Sequence, residues 1–164
     1  MRALLLTLLV FAVSADRSQN SEDLVGSWRL ISMVRPDSSG RWLPFWDERP
    51  IGLLTYTRDG HVSAQLYDSR RPRLGVRWET ATAEAARTAY VGLITYFGTY
   101  AVDRNSHTIT HRPVGAMSPD WIGSPMVRGY RFINPNRIEL RVLTTGDRQR
   151  TATGSLMLWE RVRW

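Results

Sequence analysis

Residues 52–67, GLLTYTRDGHVSAQLY, carry the clearest structural signal in the chain. Two short runs with alternating side chains, 52–57 and 61–67, flank the step Arg58-Asp59-Gly60. An Asp-Gly step between such runs is typical of a β-hairpin turn, because both residue types tolerate the positive φ angles that the turn requires. The stretch therefore predicts two antiparallel strands, and the same pattern recurs along most of the chain.

Six further runs of this kind are separated by turn residues such as Pro, Gly, Asn and Asp. Together with the hairpin they predict eight strands, which is enough to close a barrel whose interior holds one small ligand. The predicted fold class is therefore all-β, an eight-stranded antiparallel barrel. The six runs cover residues 25–34, 93–102, 107–114, 125–133, 137–144 and 151–163.

One segment breaks the strand pattern. Residues 80–90, TATAEAARTAY, are rich in alanine, and a threonine stands at their start. Alanine favours helix and threonine is a good N-cap, so this segment predicts one short helix between the third and fourth strands. Ala83, Ala86 and Tyr90 share one face of that helix, which can lie across an end of the barrel.

The first fifteen residues have the layout of a signal peptide. Arg2 forms a short basic region, residues 4–13 form an apolar run, and Val13-Ser14-Ala15 is a small-residue cleavage site. This ten-residue run, with nine apolar side chains and Thr7, is too short to span a bilayer, so no integral membrane segment is expected after removal of the signal. We predict an exported protein, periplasmic or secreted, with a flexible mature N-terminus over 16–23 and the barrel domain over 24–164.

The composition excludes several classes of chemistry. The chain of 164 residues has no cysteine and a net charge of +7, and arginine supplies all of its basic side chains other than histidine. Thiol and thiolate-metal chemistry and lysine Schiff bases are therefore excluded. Because the arginines are spread along the chain, apart from Arg70, Arg71 and Arg73, no nucleic-acid partner is predicted. No cofactor motif is present, and no cofactor is predicted.

Several segments resemble one protein family. Gly26-Ser27-Trp28 matches the Gly-x-Trp signature of lipocalins, and Trp159-Glu160-Arg161 ends the last strand. With LVGSWRL, YFGTYAVD, HTITHRP, RGYRF and LMLWERV, the chain resembles the bacterial and fungal lipocalin-like domain family, whose function is largely unknown. The resemblance implies a calycin-type barrel in which Trp28 packs under Arg161. The lipocalin motif Thr-Asp-Tyr is absent, and relatives by fold include cyclases and other enzymes.

Strand alternation brings several polar side chains to the apolar face. His111 shares its face with Ile109, and Arg128 shares its face with Tyr130. An apolar interior with a few convergent polar groups is typical of a ligand pocket, so we predict a small hydrophobic or amphipathic ligand with an acidic or oxygenated end. The predicted ligand-binding residues, with the last two at the barrel mouth, are Tyr56, Tyr96, Tyr100, His111, Arg128, Tyr130, Trp46 and Trp121.

A buried arginine requires a partner, and the sequence leaves two possibilities open. Arg128 and His111 could address a ligand. Alternatively, Arg128 could contact a carbonyl group or Glu160, which shares parity with Leu156 and Leu158, while His111 bonds a tyrosine hydroxyl. A shared metal site is not predicted, because His107 and His111 lie roughly 13 Å apart on a strand.

Three functions fit these residues. The first is a binding protein for a small apolar ligand. The second is an isomerase or cyclase with His111 as general acid or base and Tyr96 or Tyr130 as donor to an oxyanion. The third is a structural barrel with a filled core, in which the polar side chains contact one another.

Overall fold

The computed structural model describes residues 23–46, 49–143 and 154–163. The predicted signal peptide, most of the predicted N-terminal segment and the start of the last predicted strand at 151–153 lie outside the described residues. Within the described ranges, no helix combines the length and the apolar character needed to cross a bilayer.

The described residues form nine strands and one α-helix, joined by turns and two short 3-10 helices, Trp78–Thr80 and Pro119–Trp121. The helix, α1, spans Ala83–Val91, and its N-cap Thr82 accepts a hydrogen bond from the backbone of Ala85. The strands are β1 Gly26–Pro36, β2 Trp42–Pro44, β3 Ile51–Tyr56, β4 His61–Tyr67, β5 Leu93–Asp103, β6 Thr108–Ala116, β7 Met126–Asn134, β8 Arg137–Leu143 and β9 Leu156–Arg161.

Eight of the strands close an antiparallel barrel. Strands β3 to β9 pair in chain order, and β1 pairs with both β3 and β9, which joins the two edges of the sheet. Among the described residues, the three-residue strand β2 pairs only with the end of β1. The predicted all-β, eight-stranded barrel is therefore confirmed.

The predicted position of the helix is wrong. The helix follows the fourth strand, since β2 adds one strand to the count before it. Strand β2 is only three residues long, Trp42–Pro44, and it shows no run of alternating side chains. In the part of the chain that the structure describes, its strand partner is β1 alone. It is a strand because of that pairing, which cannot be recognised from three residues of sequence.

The hairpin over residues 52–67 has the predicted strand pairing, although only Gly60 of the Asp59-Gly60 step has a positive φ. Strands β3 and β4 pair from Ile51 opposite Tyr67 to Tyr56 opposite Val62. Gly60 adopts a φ of 87° in the turn, a conformation that glycine reaches without a Cβ clash. Buried side chains of β4 alternate with partly or fully exposed ones, as expected for a strand with one face in the core.

One end of the barrel is closed around Trp28. Its indole is fully buried and donates a hydrogen bond to the carbonyl oxygen of Leu24 over 2.8 Å. The Arg161 guanidinium carbon lies 4.1 Å from the indole centroid, and Nη1 donates to the Val25 carbonyl over 2.7 Å. Gly26 leaves room for this arginine, because a Cβ there would lie 2.9 Å from Nη1. The cation–π contact implied by the family resemblance is therefore present.

Candidate functional site

A cavity of about 540 Å³ lies in the barrel interior, toward the end opposite Trp28. We call this end the mouth; α1 and the segments that carry Trp46 and Trp121 lie there. Most of the side chains that line the cavity are apolar. Four of these are methionines, whose flexible side chains adapt to ligands of different shape. The apolar wall includes Met33, Leu54, Ala64, Leu66, Ile94, Met117, Met126, Leu140, Val142 and Met157.

The structure brings five of the eight predicted site residues to the cavity surface. Arg128, His111 and Tyr96 lie together in its inner part. These three form what we call the polar corner. The other two, Trp46 and Trp121, line the cavity at the mouth.

The remaining three predicted residues lie outside the cavity lining. The Tyr56 ring packs behind His111, with 5.6 Å between ring centroids. The Tyr100 hydroxyl donates to the Thr57 carbonyl over 3.0 Å, and Tyr130 packs against His107 near the closed end. Alternation assigned the correct face to each of them, but it does not tell how deep in the barrel a side chain lies.

His111 is held between two phenols. The Tyr56 hydroxyl lies 2.8 Å from Nε2, and the Tyr96 hydroxyl lies 2.7 Å from Nδ1. Only 1% of His111 is exposed. The three side chains come from β6, β3 and β5, so three strands of the closed barrel fix the position of the ring.

Burial keeps this cluster uncharged at neutral pH. Desolvation lowers the pKa of His111 well below its usual value, and the nearby charge of Arg128 lowers it further. Desolvation also raises the pKa of Tyr56 well above its usual value. The pKa of Tyr96 is raised by burial as well, while the charge and hydrogen bonding of Arg128 oppose that rise. A neutral imidazole therefore lies between two protonated phenols.

Arg128 is the buried charge of the polar corner. It is 7% exposed, and its guanidinium donates to the Val127 carbonyl over 3.2 Å and contacts the Met126 sulfur at 3.7 Å. No carboxylate of the described residues lies within ion-pair distance of it, and none lines the cavity. The structure thus shows the contact between Arg128 and a backbone carbonyl that the sequence left open.

The alternative pairing with Glu160 is wrong. Glu160 lies on the outer surface, where it pairs with Arg29 at 2.6 Å and Arg137 at 3.0 Å. The inner face of β9 carries the larger side chains Met157 and Trp159. Both parities of this strand offer apolar residues, so alternation alone could not distinguish its faces.

Sequence reasoning missed Arg35, a second cation that lines the cavity. Its guanidinium lies 5.4 Å from the centroid of the Phe45 ring at the mouth. A register shift between Leu30 and Ser32 moves the inward face of β1 from even to odd positions. Counting from Trp28 therefore places Arg35 outside, whereas counting from Met33 would have placed it inside.

The comparison with known protein families agrees with this architecture. The model of a lipocalin-like domain matches residues 25–162, nearly the whole described chain. The chain belongs to the lipocalin-like domain family. Its barrel fold suggests binding of a small ligand, consistent with the cavity described above.

Other comparisons add little about this lipocalin-like barrel. No curated protein matches the chain. Among solved structures, it is similar to a redesigned β-barrel with 10% sequence identity and a TM-score of 0.44, over 90% of this chain and 96% of that one. A similarity at this level carries no argument about function.

Proposed function

We propose that this lipocalin-like domain binds a small, largely apolar molecule with one anionic end. The observation that carries the proposal is the cavity of about 540 Å³, whose wall is apolar except for the polar corner and the mouth. This volume lies within the usual range for small-molecule sites. A filled, purely structural core would leave no such volume between the strands.

The charges around the cavity favour an anion. Arg128 lies in the inner part and Arg35 lies at the mouth, while no carboxylate of the described residues lines the cavity. A buried guanidinium without an ionic partner is disfavoured, and a bound carboxylate would supply that partner. Arginine also matches a carboxylate with two parallel hydrogen bonds, which orients the ligand as well as holding it.

The state of His111 favours binding over acid–base catalysis. Its pKa lies well below the usual value, so the ring is a weak proton acceptor near neutral pH. Both ring nitrogens already contact phenol oxygens, at 2.8 and 2.7 Å. An isomerase or cyclase mechanism would have to break one of these buried contacts before His111 could reach a substrate.

Filling the cavity tests the binding proposal. Ala64 lines the cavity and is 1% exposed, so the phenyl ring of an Ala64→Phe variant would occupy the space of the ligand. We expect decanoate to bind the natural protein and its affinity to fall at least about tenfold in the variant. Binding is measured by calorimetry and by the intrinsic tryptophan fluorescence, since Trp46, Trp121 and Trp159 line the cavity.

The matched control for cavity filling is Ala101→Phe, which adds the same ring at an exposed position of β5. It should bind decanoate as the natural protein does. Native mass spectrometry of the protein purified from its host cells, with a search for a co-purified anion, is an independent check. Equal affinity in the Ala64→Phe and Ala101→Phe variants would show that decanoate binds elsewhere and would contradict the proposal.

We also propose that the protein is exported, on the strength of the signal-peptide layout of residues 1–15. Expression of the full chain in a Gram-negative bacterial host should yield a periplasmic product that begins at Asp16. The check is the intact mass of the purified protein and its N-terminal sequence. A variant with Leu8→Arg and Leu9→Arg interrupts the apolar run, so it should remain uncleaved in the cytoplasm. Full-length natural protein in the cytoplasm would contradict export.

A further inference from the structure

The polar side chains that line the cavity are nearly all hydrogen-bond donors. Among the described residues, no Asp, Glu, Asn, Gln, Ser or Thr side chain lines it. Arginine and tryptophan side chains donate hydrogen bonds and cannot accept them. Only Tyr96 and His111 offer both roles. The arrangement of protons on these two residues therefore decides what the polar corner presents to a ligand.

The neutral imidazole of His111 has one N–H donor and one acceptor nitrogen. Its Nε2 contacts the Tyr56 hydroxyl, and its Nδ1 contacts the Tyr96 hydroxyl. One tyrosine must therefore donate to the ring, and the other must accept from it. Two arrangements are possible, and they differ in which hydroxyl proton is left for another partner.

The burial of Tyr56 distinguishes the two arrangements. Tyr56 is 1% exposed and does not line the cavity, and His111 is the only hydrogen-bond partner of its hydroxyl among the described residues. If Nε2 carried the proton, Tyr56 would accept it, and its own O–H would be buried without an acceptor. Buried donors without acceptors are strongly disfavoured. If Nδ1 carries the proton, Tyr56 donates to Nε2 and no donor is left behind the ring.

We propose that Tyr56 holds His111 in its Nδ1–H form, which makes Tyr96 a donor into the cavity and gives the barrel selectivity for a carboxylate over an alcohol or amine with the same tail. Nδ1–H then donates to the Tyr96 oxygen, and the Tyr96 O–H is directed to a ligand beside Arg128. Tyr56 and His111 are positioning residues in this arrangement. The inference rests on the proposed function, because it specifies the anionic end of the ligand.

Selectivity follows from matching donors to acceptors. A carboxylate only accepts, so it satisfies both Arg128 and the Tyr96 O–H. An alcohol brings an O–H of its own into a corner where the Tyr96 oxygen already accepts from His111 Nδ1–H and from Arg128. An ammonium group brings three donors and a positive charge beside Arg128. The expected order of affinity is therefore decanoate, then decanol, then decylamine.

The proton position on His111 can be read directly by NMR. Long-range proton–nitrogen correlation of the nitrogen-15-labelled protein at neutral pH distinguishes a protonated ring nitrogen from an unprotonated one. The chain has three histidines, and the His111→Gln variant identifies the signals of His111. We expect a protonated Nδ1 and an unprotonated Nε2. A protonated Nε2 overturns the proposal, whatever the ligands do.

Ligand selectivity is the second test. Calorimetry should show decanoate binding at least about tenfold more tightly than decanol, with decylamine weaker still. Tyr96→Phe should lower decanoate affinity about tenfold and leave decanol affinity nearly unchanged, so that the preference collapses. The matched control is Tyr67→Phe, which removes a hydroxyl from the outer face of β4 and should preserve the preference.

The outcomes separate this inference from the proposed function. Equal affinity for decanoate and decanol in the natural protein overturns the proposal that the polar corner offers a ligand only hydrogen-bond donors, although it leaves a binding function intact. Failure of all three probes to bind contradicts the proposed function for ligands of this type. In that case the NMR spectrum alone decides the position of the proton on His111.

Discussion

Replacing Arg128 with methionine is expected to lower the affinity for decanoate about 100-fold and to raise the free energy of unfolding of the ligand-free protein. The first effect follows because charge-assisted hydrogen bonds to a buried carboxylate contribute roughly 1.5–3 kcal/mol each. The second follows because Arg128 is 7% exposed and has no carboxylate partner among the described residues. Removal of such a charge should stabilise the empty barrel by about 1–3 kcal/mol.

Urea unfolding without ligand and calorimetric titration with decanoate measure the two effects separately. The matched control is Arg131→Met, on the same strand, where the side chain is exposed and pairs with Glu139 on the surface. That pair should contribute less than about 1 kcal/mol and should not affect ligand affinity. If Arg128→Met instead weakened the fold and left decanoate affinity unchanged, Arg128 would have a structural role only.

Opposite effects of one substitution on stability and on affinity are typical of a functional site. Arg137, a surface arginine, pairs with the carboxylate of Glu160. Arg128 contacts a backbone carbonyl, a thioether and the Tyr96 hydroxyl instead. The barrel therefore maintains a buried cation that its own side chains do not neutralise.

The fold could be predicted from the sequence because its information is local. The Asp59-Gly60 turn, the alternation along each strand and the gaps between strands are all visible within about ten residues. Strand β2, Trp42–Pro44, was missed for the same reason, since its pairing with β1 is the only thing that makes it a strand. That omission accounts for the wrong position of α1.

The candidate site was predicted only in part, because strand parity gives a face and not a height in the barrel. Tyr100 and Tyr130 face inward, as alternation indicates, yet they lie toward the closed end, outside the cavity lining. Arg35 was missed because the irregularity after Leu30 reverses the parity of β1. Glu160 was placed on the wrong face because its neighbours on both parities are apolar.

The contacts of His111 illustrate what only the three-dimensional structure could supply. Sequence reasoning left open whether His111 bonds a tyrosine hydroxyl or addresses a ligand. In the structure it bonds two hydroxyls and also lines the cavity. The two alternatives are therefore compatible. Tyr56 holds His111 from behind, and His111 in turn positions Tyr96, which lines the cavity.

Replacing Trp28 with alanine is expected to lower the free energy of unfolding by about 3–5 kcal/mol, the usual range for a buried large aromatic side chain. The indole is fully buried, donates to the Leu24 carbonyl and lies under the Arg161 guanidinium at 4.1 Å. The substitution therefore removes apolar contact, a hydrogen bond and a cation–π contact together. Urea unfolding followed by circular dichroism measures the loss.

Trp78→Ala is the matched control, since Trp78 is 76% exposed and the change should alter stability by less than about 0.5 kcal/mol. If Trp28→Ala does not fold, Trp28→Phe gives the comparison. It keeps an aromatic ring under Arg161 but loses the bond to Leu24, so a loss of about 1–2 kcal/mol is expected. Equal stability of the Trp28→Ala and Trp78→Ala variants would mean that Trp28 does not stabilise the pairing of β1 with β9. The hydrogen bond from Arg161 to the Val25 carbonyl does not involve Trp28, so both Trp28 variants should keep it. A large loss of stability in both variants would therefore show that the arginine alone does not hold this end of the barrel closed.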